Sequence, residues 1–291
     1  TREQLIDTVR RFVSERLRPL EAQVAENDAI PGEVIEEMKG LGLFGLSIPE
    51  QFGGLDLSME DECLVGVELG RTSSAFGTNV GIGSQGLVMF GTEAQKEKYL
   101  PRIASGEIIT SFALTEPEAG SDSANVQTRA VRDGDHYVLN GSKRFITNAN
   151  KADLFTVMAR TDPSKPGGGG VSAFLVERNL PGLSVGKPEK KMGQQGAHIC
   201  DVIFDNVRVP VENRLGEEGQ GFALCEKWLI EGRVPYAAGT IGIAQEALEL
   251  AIGWARERVV FGSPLADKQA IQWMIADSEM ELRAARLLVY E

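Results

Sequence analysis

The pattern of apolar residues changes twice along this chain, and the two changes divide it into three zones. Up to about Gly106 apolar residues recur at helical spacing. Short apolar runs separated by turn residues follow, which is typical of a small β-barrel or sandwich. Helical spacing returns after Gly216 and persists to the last residue. The sequence therefore predicts an α+β protein with an N-terminal all-helical domain (1–110), a middle β domain (111–215) and an incomplete C-terminal helical bundle (216–291).

Shorter patterns give local predictions within these zones. The Asp133-Gly134 pair predicts a β-hairpin, and Asn140-Gly141 predicts a second tight turn. Small residues dominate 237–255, which predicts a helix that packs closely on its neighbours. The uncharged run 72–92 has the length of a membrane span, but its hydroxyl, amide and glycine residues favour a pair of buried helices.

Charge and cysteine content exclude several classes of function. The formal net charge of −12 argues against general binding to nucleic acids or anionic membranes. Cys63, Cys200 and Cys225 are odd in number and far apart, so no disulfide or zinc framework is expected and a reducing compartment is favoured. The two histidines have no partners at metal-ligand spacing. The N-terminus has no signal architecture. These features predict a soluble, metal-free protein of the cytoplasm, or of the mitochondrial matrix if eukaryotic.

One stretch at the start of the β zone, 112–122, joins an apolar run to a loop of small polar residues. Pro117 removes a backbone donor, and Gly120 permits positive φ and the close approach of another molecule. Ser121-Asp122 is a candidate helix N-cap, where free N–H groups attract anions. The stretch suits a phosphate-bearing cofactor, and an ordinary exit from a strand into a loop fits the same residues.

Two further segments bear on the same chemistry. Phe145 and Thr147 lie two residues apart, so on one face of a strand a ring could cover a flat cofactor while a hydroxyl reaches its polar edge. The alternative is a core phenylalanine beside a satisfied threonine. The basic segment 256–262 ends a helix, where its arginines either bind a ligand or complement the helix dipole.

Taken in order, these motifs resemble those of the acyl-CoA dehydrogenase family. They extend over nearly the whole chain, and their order and spacing are more specific than any single motif. The matching segments are Phe112–Pro117 with Gly120–Asp122, Asn140–Lys143, Phe145–Asn148, Lys191–Gly193, Phe204–Pro210, Glu231–Arg233 and Arg258–Gly262.

The resemblance implies FAD bound between the β domain and the C-terminal helices, with a CoA thioester against the flavin. Phe145 would shield one flavin face, and Thr147 would lie near its N5 atom. The segment 258–269 would hold the FAD of a neighbouring subunit, so a homo-oligomer, a dimer or tetramer, is implied. The cofactor-binding residues are then Phe112, Leu114, Thr115, Gly120, Ser121, Phe145, Ile146, Thr147, Arg258, Phe261 and Gln269, and the substrate-binding residues are Ser121 and Arg233.

The implied activity is α,β-dehydrogenation of an acyl-CoA in fatty acid metabolism, with electrons passed to an electron-transfer flavoprotein. Removing the weakly acidic α-proton needs a carboxylate base and donors to the thioester carbonyl. The family places its glutamate either late in the C-terminal domain, beyond Glu291, or on the helix where this chain has Gly232. Glu231 is rotated from that position by about 100°. No catalytic base is therefore assigned in this chain.

The chain departs from the family pattern at three places. Phe145 stands where many members have tryptophan, Val260 where a hydroxyl is usual, and 194–200 lacks the usual serine and threonine. Two alternative functions share the fold: an acyl-CoA oxidase or related flavin oxygenase that uses O₂, and a non-catalytic binding or assembly protein. The length, branching and aromaticity of the acyl chain stay open.

Overall fold

The computed structural model describes residues 2–77 and 83–291, and its elements follow the three zones. The first zone is helical. Thr92 and Gln95 form a reciprocal capping box at the start of its last helix. The helices are α1 (Arg2–Phe12), α2 (Glu21–Asn27), α3 (Gly32–Gly40), α4 (Met59–Leu69), α5 (Gln85–Phe90) and α6 (Glu93–Ala104).

The middle zone forms one sheet with the strand order β6-β7-β3-β2-β4-β5-β8, and β1 pairs in parallel with β4. The strands are β1 (Thr110–Ala113), β2 (Arg129–Asp133), β3 (His136–Thr147), β4 (Leu154–Arg160), β5 (Val171–Glu177), β6 (Leu183–Val185), β7 (Ile199–Pro210) and β8 (Arg214–Leu215).

Both faces of this sheet carry apolar clusters, because alternate residues of a strand point to opposite sides. Leu154 and Met158 of β4 join a cluster that includes helix residues, such as Tyr99. Phe155 and Val157 of the same strand join a cluster made of strand and loop side chains. The mostly apolar sequence of β4, interrupted in the middle only by the buried Thr156, reflects this burial on both sides.

The last zone contains a long helix, α7 (Gly221–Glu257), a short hairpin of β9 (Val259–Val260) and β10 (Ser263–Pro264), and a second helix, α8 (Gln269–Tyr290). The architecture confirms the α+β class, with helices first, a central β region, and helices again. In the described ranges, no helix combines the length and apolar character that a membrane crossing requires, and no group of His, Cys, Asp or Glu side chains is placed to hold a metal ion.

The chain divides into two compact units. Unit 1 comprises Thr1–Gln23, Ser58–Gly77 and Arg233–Glu291, and unit 2 comprises Val24–Leu57 and Thr78–Gly232. The domain boundaries expected from the sequence pattern stay a prediction.

Helices α4 and α7 pack closely within unit 1. A Cβ built on Gly70 would lie 2.1 Å from the carbonyl oxygen of Gly239, and one built on Gly242 would lie 2.0 Å from that of Val67. Backbones approach this closely only where no side chain intervenes. The close packing expected of the small-residue helix is confirmed.

The predicted turn at Asn140-Gly141 is wrong, whereas the hairpin turn at Asp133-Gly134 is confirmed. Both Asn140 and Gly141 lie inside β3, where the register against β7 shifts between Leu139 and Gly141. A Cβ on Gly141 would lie 2.6 Å from the Thr128 hydroxyl and 2.7 Å from its Cα. The glycine is therefore required by the close approach of the residue that precedes β2 and not by a turn.

The helix N-cap prediction also fails, and the predicted pair of buried helices is tested only in part. Ser121-Asp122 caps no helix; a turn follows, closed by the N–H of Asn125 donating to the carbonyl of Asp122 (3.1 Å). In the run 72–92, residues 72–77 form no regular α-helix and α5 begins only at Gln85, so the described part holds one helix before the start of α6 and not a pair. Residues 78–82 of that run lie outside the described residues.

Candidate functional site

The ends of β1 and β3 lie side by side in unit 2 and bring two of the sequence-predicted segments together. The hydroxyl of Ser111 donates to the carbonyl oxygen of Thr147 (2.5 Å), and the N–H of Arg144 donates to the carbonyl oxygen of Thr115 (2.8 Å). We call the group formed by residues 112–115 and 144–147 the β1–β3 site.

Phe145 presents an exposed ring at this site. Its side chain is 51% exposed and its φ is +58°, a region that bulky residues rarely occupy. The register of β3 against β7 shifts between Lys143 and Ile146, so Phe145 lies in a β-bulge, a feature that re-aims side chains near active sites. Ile146, in contrast, is buried in the sheet core. The sequence did not predict this bulge.

Two threonine hydroxyls accompany the ring. Thr115 and Thr147 are both half-buried, and within residues 2–77 and 83–291 neither hydroxyl has a hydrogen-bond partner. An exposed aromatic ring beside two uncommitted hydroxyls suits a flat heteroaromatic ligand with nitrogen and oxygen atoms along its edge. The residues present therefore fit an isoalloxazine ring.

The other predicted residues of unit 2 flank this group. Phe112 packs edge-on against Trp228 of α7, with ring centroids 5.6 Å apart. The side chain of Leu114 is buried, so Leu114 would meet a ligand through its backbone. Gly120 and Ser121 follow a turn in which Glu116 and Ala119 exchange backbone hydrogen bonds, and both are exposed.

A buried ion pair fixes the backbone on both sides of Thr115. The Lys143 ammonium donates to the Glu116 carboxylate (2.7 Å) and to the carbonyl oxygen of Leu114 (3.1 Å). Glu116 also accepts from the N–H groups of Gln127 (2.6 Å) and Thr128 (2.9 Å). The pair thus ties β3 to the loop after β1 and to the segment that enters β2.

The sequence pattern did not predict this pair, although one signal for it is present in β3. Lys143 is in phase with the buried Tyr137 and Leu139 of β3, a position where a strand places apolar residues. A lysine there must be paired, because an isolated buried charge is costly. The partner, Glu116, follows no pattern readable from its own neighbours.

Burial and pairing shift the ionisation of both groups. Burial lowers the pKa of Lys143 to about 8, against the opposing effect of Glu116. Burial by itself would raise the pKa of Glu116, but the Lys143 ammonium and the hydrogen bonds from Thr128 and Gln127 outweigh it and hold that pKa below its usual value. Glu116 is therefore an ionised, acceptor-only group at neutral pH.

We expect Glu116 to make the free energy of unfolding depend on pH in acid. A carboxyl group whose pKa is lower in the folded than in the unfolded protein stabilises the fold at pH values above its pKa in the unfolded protein, which is about 4.3. This stabilisation is lost as the pH falls through the pKa of the group in the folded protein. Urea unfolding is measured for the wild type and Glu116→Gln between pH 7 and pH 3. The difference between their free energies of unfolding should shrink below about pH 4.5. A difference that stays constant would contradict this assignment.

The remaining predicted residues lie in unit 1. Phe261, at the tip of the β9–β10 hairpin, is fully exposed with a φ of +52°. Arg258 and Gln269 are exposed on either side of the hairpin, and Arg233 is exposed on α7. In the described part of the chain, neither arginine forms an ion pair. That these residues hold a cofactor of a neighbouring subunit stays a prediction.

The helix segment that carries the family's alternative base position has an open side. Among residues 2–77 and 83–291, a Cβ built on Gly232 meets no atom within 4 Å. The adjacent Glu231 is half-buried, and the side-chain amide of Gln85 donates to its carboxylate (3.4 Å). The two neighbouring positions therefore face different surroundings, as the helical rotation between them requires.

Comparisons with known proteins agree with this fold. The acyl-CoA dehydrogenase N-terminal, middle and C-terminal domain models match residues 1–107, 111–207 and 219–291. An acyl-CoA dehydrogenase of Bacillus subtilis (strain 168) is 41% identical over 296 residues, which cover 100% of this chain and 78% of the relative. The chain belongs to the acyl-CoA dehydrogenase family, and it is an oxidoreductase of that type.

Two solved structures are similar over almost the whole chain. One comes from a study of the electron transferring flavoprotein of Acidaminococcus fermentans and flavin-based electron bifurcation. It has a TM-score of 0.95 and 40% sequence identity, and the match covers 99% of this chain and 77% of the other. The other, an acyl-CoA dehydrogenase complexed with FAD from Bacillus anthracis, has a TM-score of 0.91 at 35% identity and covers 99% and 50%.

Proposed function

We propose that this protein dehydrogenates the α,β carbon–carbon bond of an acyl-CoA thioester, with FAD as its cofactor, and passes the electrons to an electron-transfer flavoprotein. The observation that carries the proposal is the β1–β3 site, with its exposed ring, two uncommitted hydroxyls and firmly held backbone, in a chain of this family. The similar structure concerned with an electron transferring flavoprotein supports the choice of acceptor.

The residues of the site have separate tasks in this reaction. FAD supplies the hydride acceptor. The Phe145 ring covers one side of the isoalloxazine and excludes water, while the hydroxyls of Thr115 and Thr147 hydrogen-bond to its polar edge. The Lys143–Glu116 pair keeps Thr115 in place. The Thr115 hydroxyl is then a preorganised donor, which acts without rearrangement during the reaction. Phe112, Leu114 and Ile146 support this wall.

Residues outside the β1–β3 site bind the substrate and the FAD of a neighbouring subunit in this proposal. Ser121 and Arg233 contact the CoA thioester, and Arg258, Phe261 and Gln269 reach the FAD of a second subunit in a homodimer or homotetramer. No residue of this chain is assigned as the base that takes the α-proton, because Gly232 stands at the family's alternative base position and the adjacent Glu231 is engaged with Gln85. The three free, buried cysteines suit the reducing cytoplasm, or the mitochondrial matrix of a eukaryote.

The proposal is tested by the flavin spectrum of the full-length protein. We expect yellow protein with flavin absorbance after reconstitution with FAD, and anaerobic bleaching by at least one thioester from a panel of acyl-CoAs of differing length and branching. A protein without flavin absorbance after reconstitution would rule the proposal out. Rapid reoxidation of the reduced protein by O₂, with none by an electron-transfer flavoprotein, would favour an acyl-CoA oxidase.

Thr147→Val is expected to weaken FAD binding about fivefold, since a hydrogen bond to the ligand contributes about 1 kcal/mol. The affinity is measured by quenching of FAD fluorescence. Thr240→Val is the matched control, because the Thr240 hydroxyl donates to the carbonyl of Tyr236 in its own helix and to no other group among the described residues. Equal affinities for all three proteins would show that Thr147 does not contact the cofactor.

A further inference from the structure

Arg144 places a cation on the ring of the β1–β3 site. Its guanidinium carbon lies 4.9 Å from the centroid of the Phe145 ring, within cation–π range. Neighbouring residues of a regular strand point to opposite faces of the sheet, so this contact needs an irregular backbone. The bulge between Lys143 and Ile146, with its positive φ at Phe145, provides it.

The surrounding contacts maintain this strained geometry. The backbone N–H of Arg144 is bonded to Thr115, and the preceding Lys143 is anchored by Glu116 and Leu114. Strained backbone persists only where neighbouring contacts over-determine it, and it concentrates at functional sites. The result of the strain here is an exposed aromatic ring with a guanidinium over it.

The guanidinium itself is uncommitted. Within the described ranges the Arg144 side chain forms no ion pair and no hydrogen bond, although it is half-buried. Other half-buried arginines of unit 2 are engaged: Arg160 donates to four backbone carbonyls and Arg178 to two. The charge and donors of Arg144 are therefore available to a ligand at the β1–β3 site.

We propose that Arg144 is a positioning residue of the cofactor site, which fixes the Phe145 ring and supplies a positive charge that favours the reduced form of the bound isoalloxazine. This inference rests on the proposed function. A flavin that takes up two electrons and one proton gains one negative charge. A nearby cation therefore stabilises the reduced form more than the oxidised form. The effect raises the reduction potential of the bound cofactor.

The test compares Arg144→Met, Arg144→Gln and Arg144→Lys in the full-length protein loaded with FAD. The readout is the two-electron reduction potential, obtained by dithionite titration against a reference dye. We expect the Met and Gln variants to lose about tenfold in their preference for reduced over oxidised flavin, which lowers the potential by about 30 mV. Arg144→Lys retains the charge and is expected to stay near the wild-type potential.

Arg132→Gln is the matched control, because Arg132 is an exposed arginine of β2 and its loss changes the net charge equally. Its potential should equal that of the wild type. Met and Gln variants that keep the wild-type potential, or a Lys variant as low as the Met variant, would overturn the inference. A wild type that binds no FAD would refute the proposed function instead. Since glutamine keeps a polar side chain, Arg144→Gln carries the test even where Arg144→Met does not fold.

Discussion

Lys143→Met is expected to lower the free energy of unfolding by about 3–5 kcal/mol, because it leaves the Glu116 carboxylate buried without its counter-charge. The side chains of Lys143 and Glu116 are 0% and 3% exposed. Methionine fills a similar volume, so packing changes contribute little. Urea unfolding followed by far-UV circular dichroism measures the loss.

A second lysine provides a matched control for this change. Lys98 and Glu177 form an ion pair of 2.8 Å, with side chains 54% and 43% exposed. Because water solvates both partners there, Lys98→Met is expected to cost less than about 1 kcal/mol. The double variant Lys143→Met/Glu116→Leu should recover much of the stability lost in the single variant, since it leaves no unpaired charge. Similar losses for Lys143→Met and Lys98→Met would contradict the structural role of the buried pair.

Gly242→Ala is expected to destabilise the protein by about 3 kcal/mol, because the added methyl group must push apart two helix backbones. Its Cβ would lie 2.0 Å from the carbonyl oxygen of Val67 in α4, and a backbone atom cannot rotate away as a side chain can. The midpoint of thermal unfolding and the urea midpoint both report the change.

The same substitution elsewhere in α7 should have the opposite sign. In the part of the chain that the structure describes, a Cβ on Gly253 meets no atom within 4 Å. Gly253→Ala therefore adds only helix propensity and is expected to stabilise the protein by up to about 1 kcal/mol. Changes of the same sign at both positions would mean that helix propensity and not the contact with α4 decides the outcome.

Local patterns in the chain predicted much of the architecture. Helical periodicity identified the first and last zones, and the turn pair at Asp133-Gly134 located the β2–β3 hairpin, because these signals depend on residues close in sequence. The resemblance to one family selected Thr115, Phe145 and Thr147 as cofactor residues. The structure places these three residues together at the β1–β3 site.

Residue types and periodicity therefore determined the class of each zone and the segments that form the candidate site. Only the tertiary structure decided how that site is built. The bulge at Phe145 depends on register against β7, the glycine at 141 on the approach of Thr128, and the buried charge of Lys143 on Glu116. Each is a contact between segments distant in the sequence, and such contacts leave no periodic signal in either segment alone.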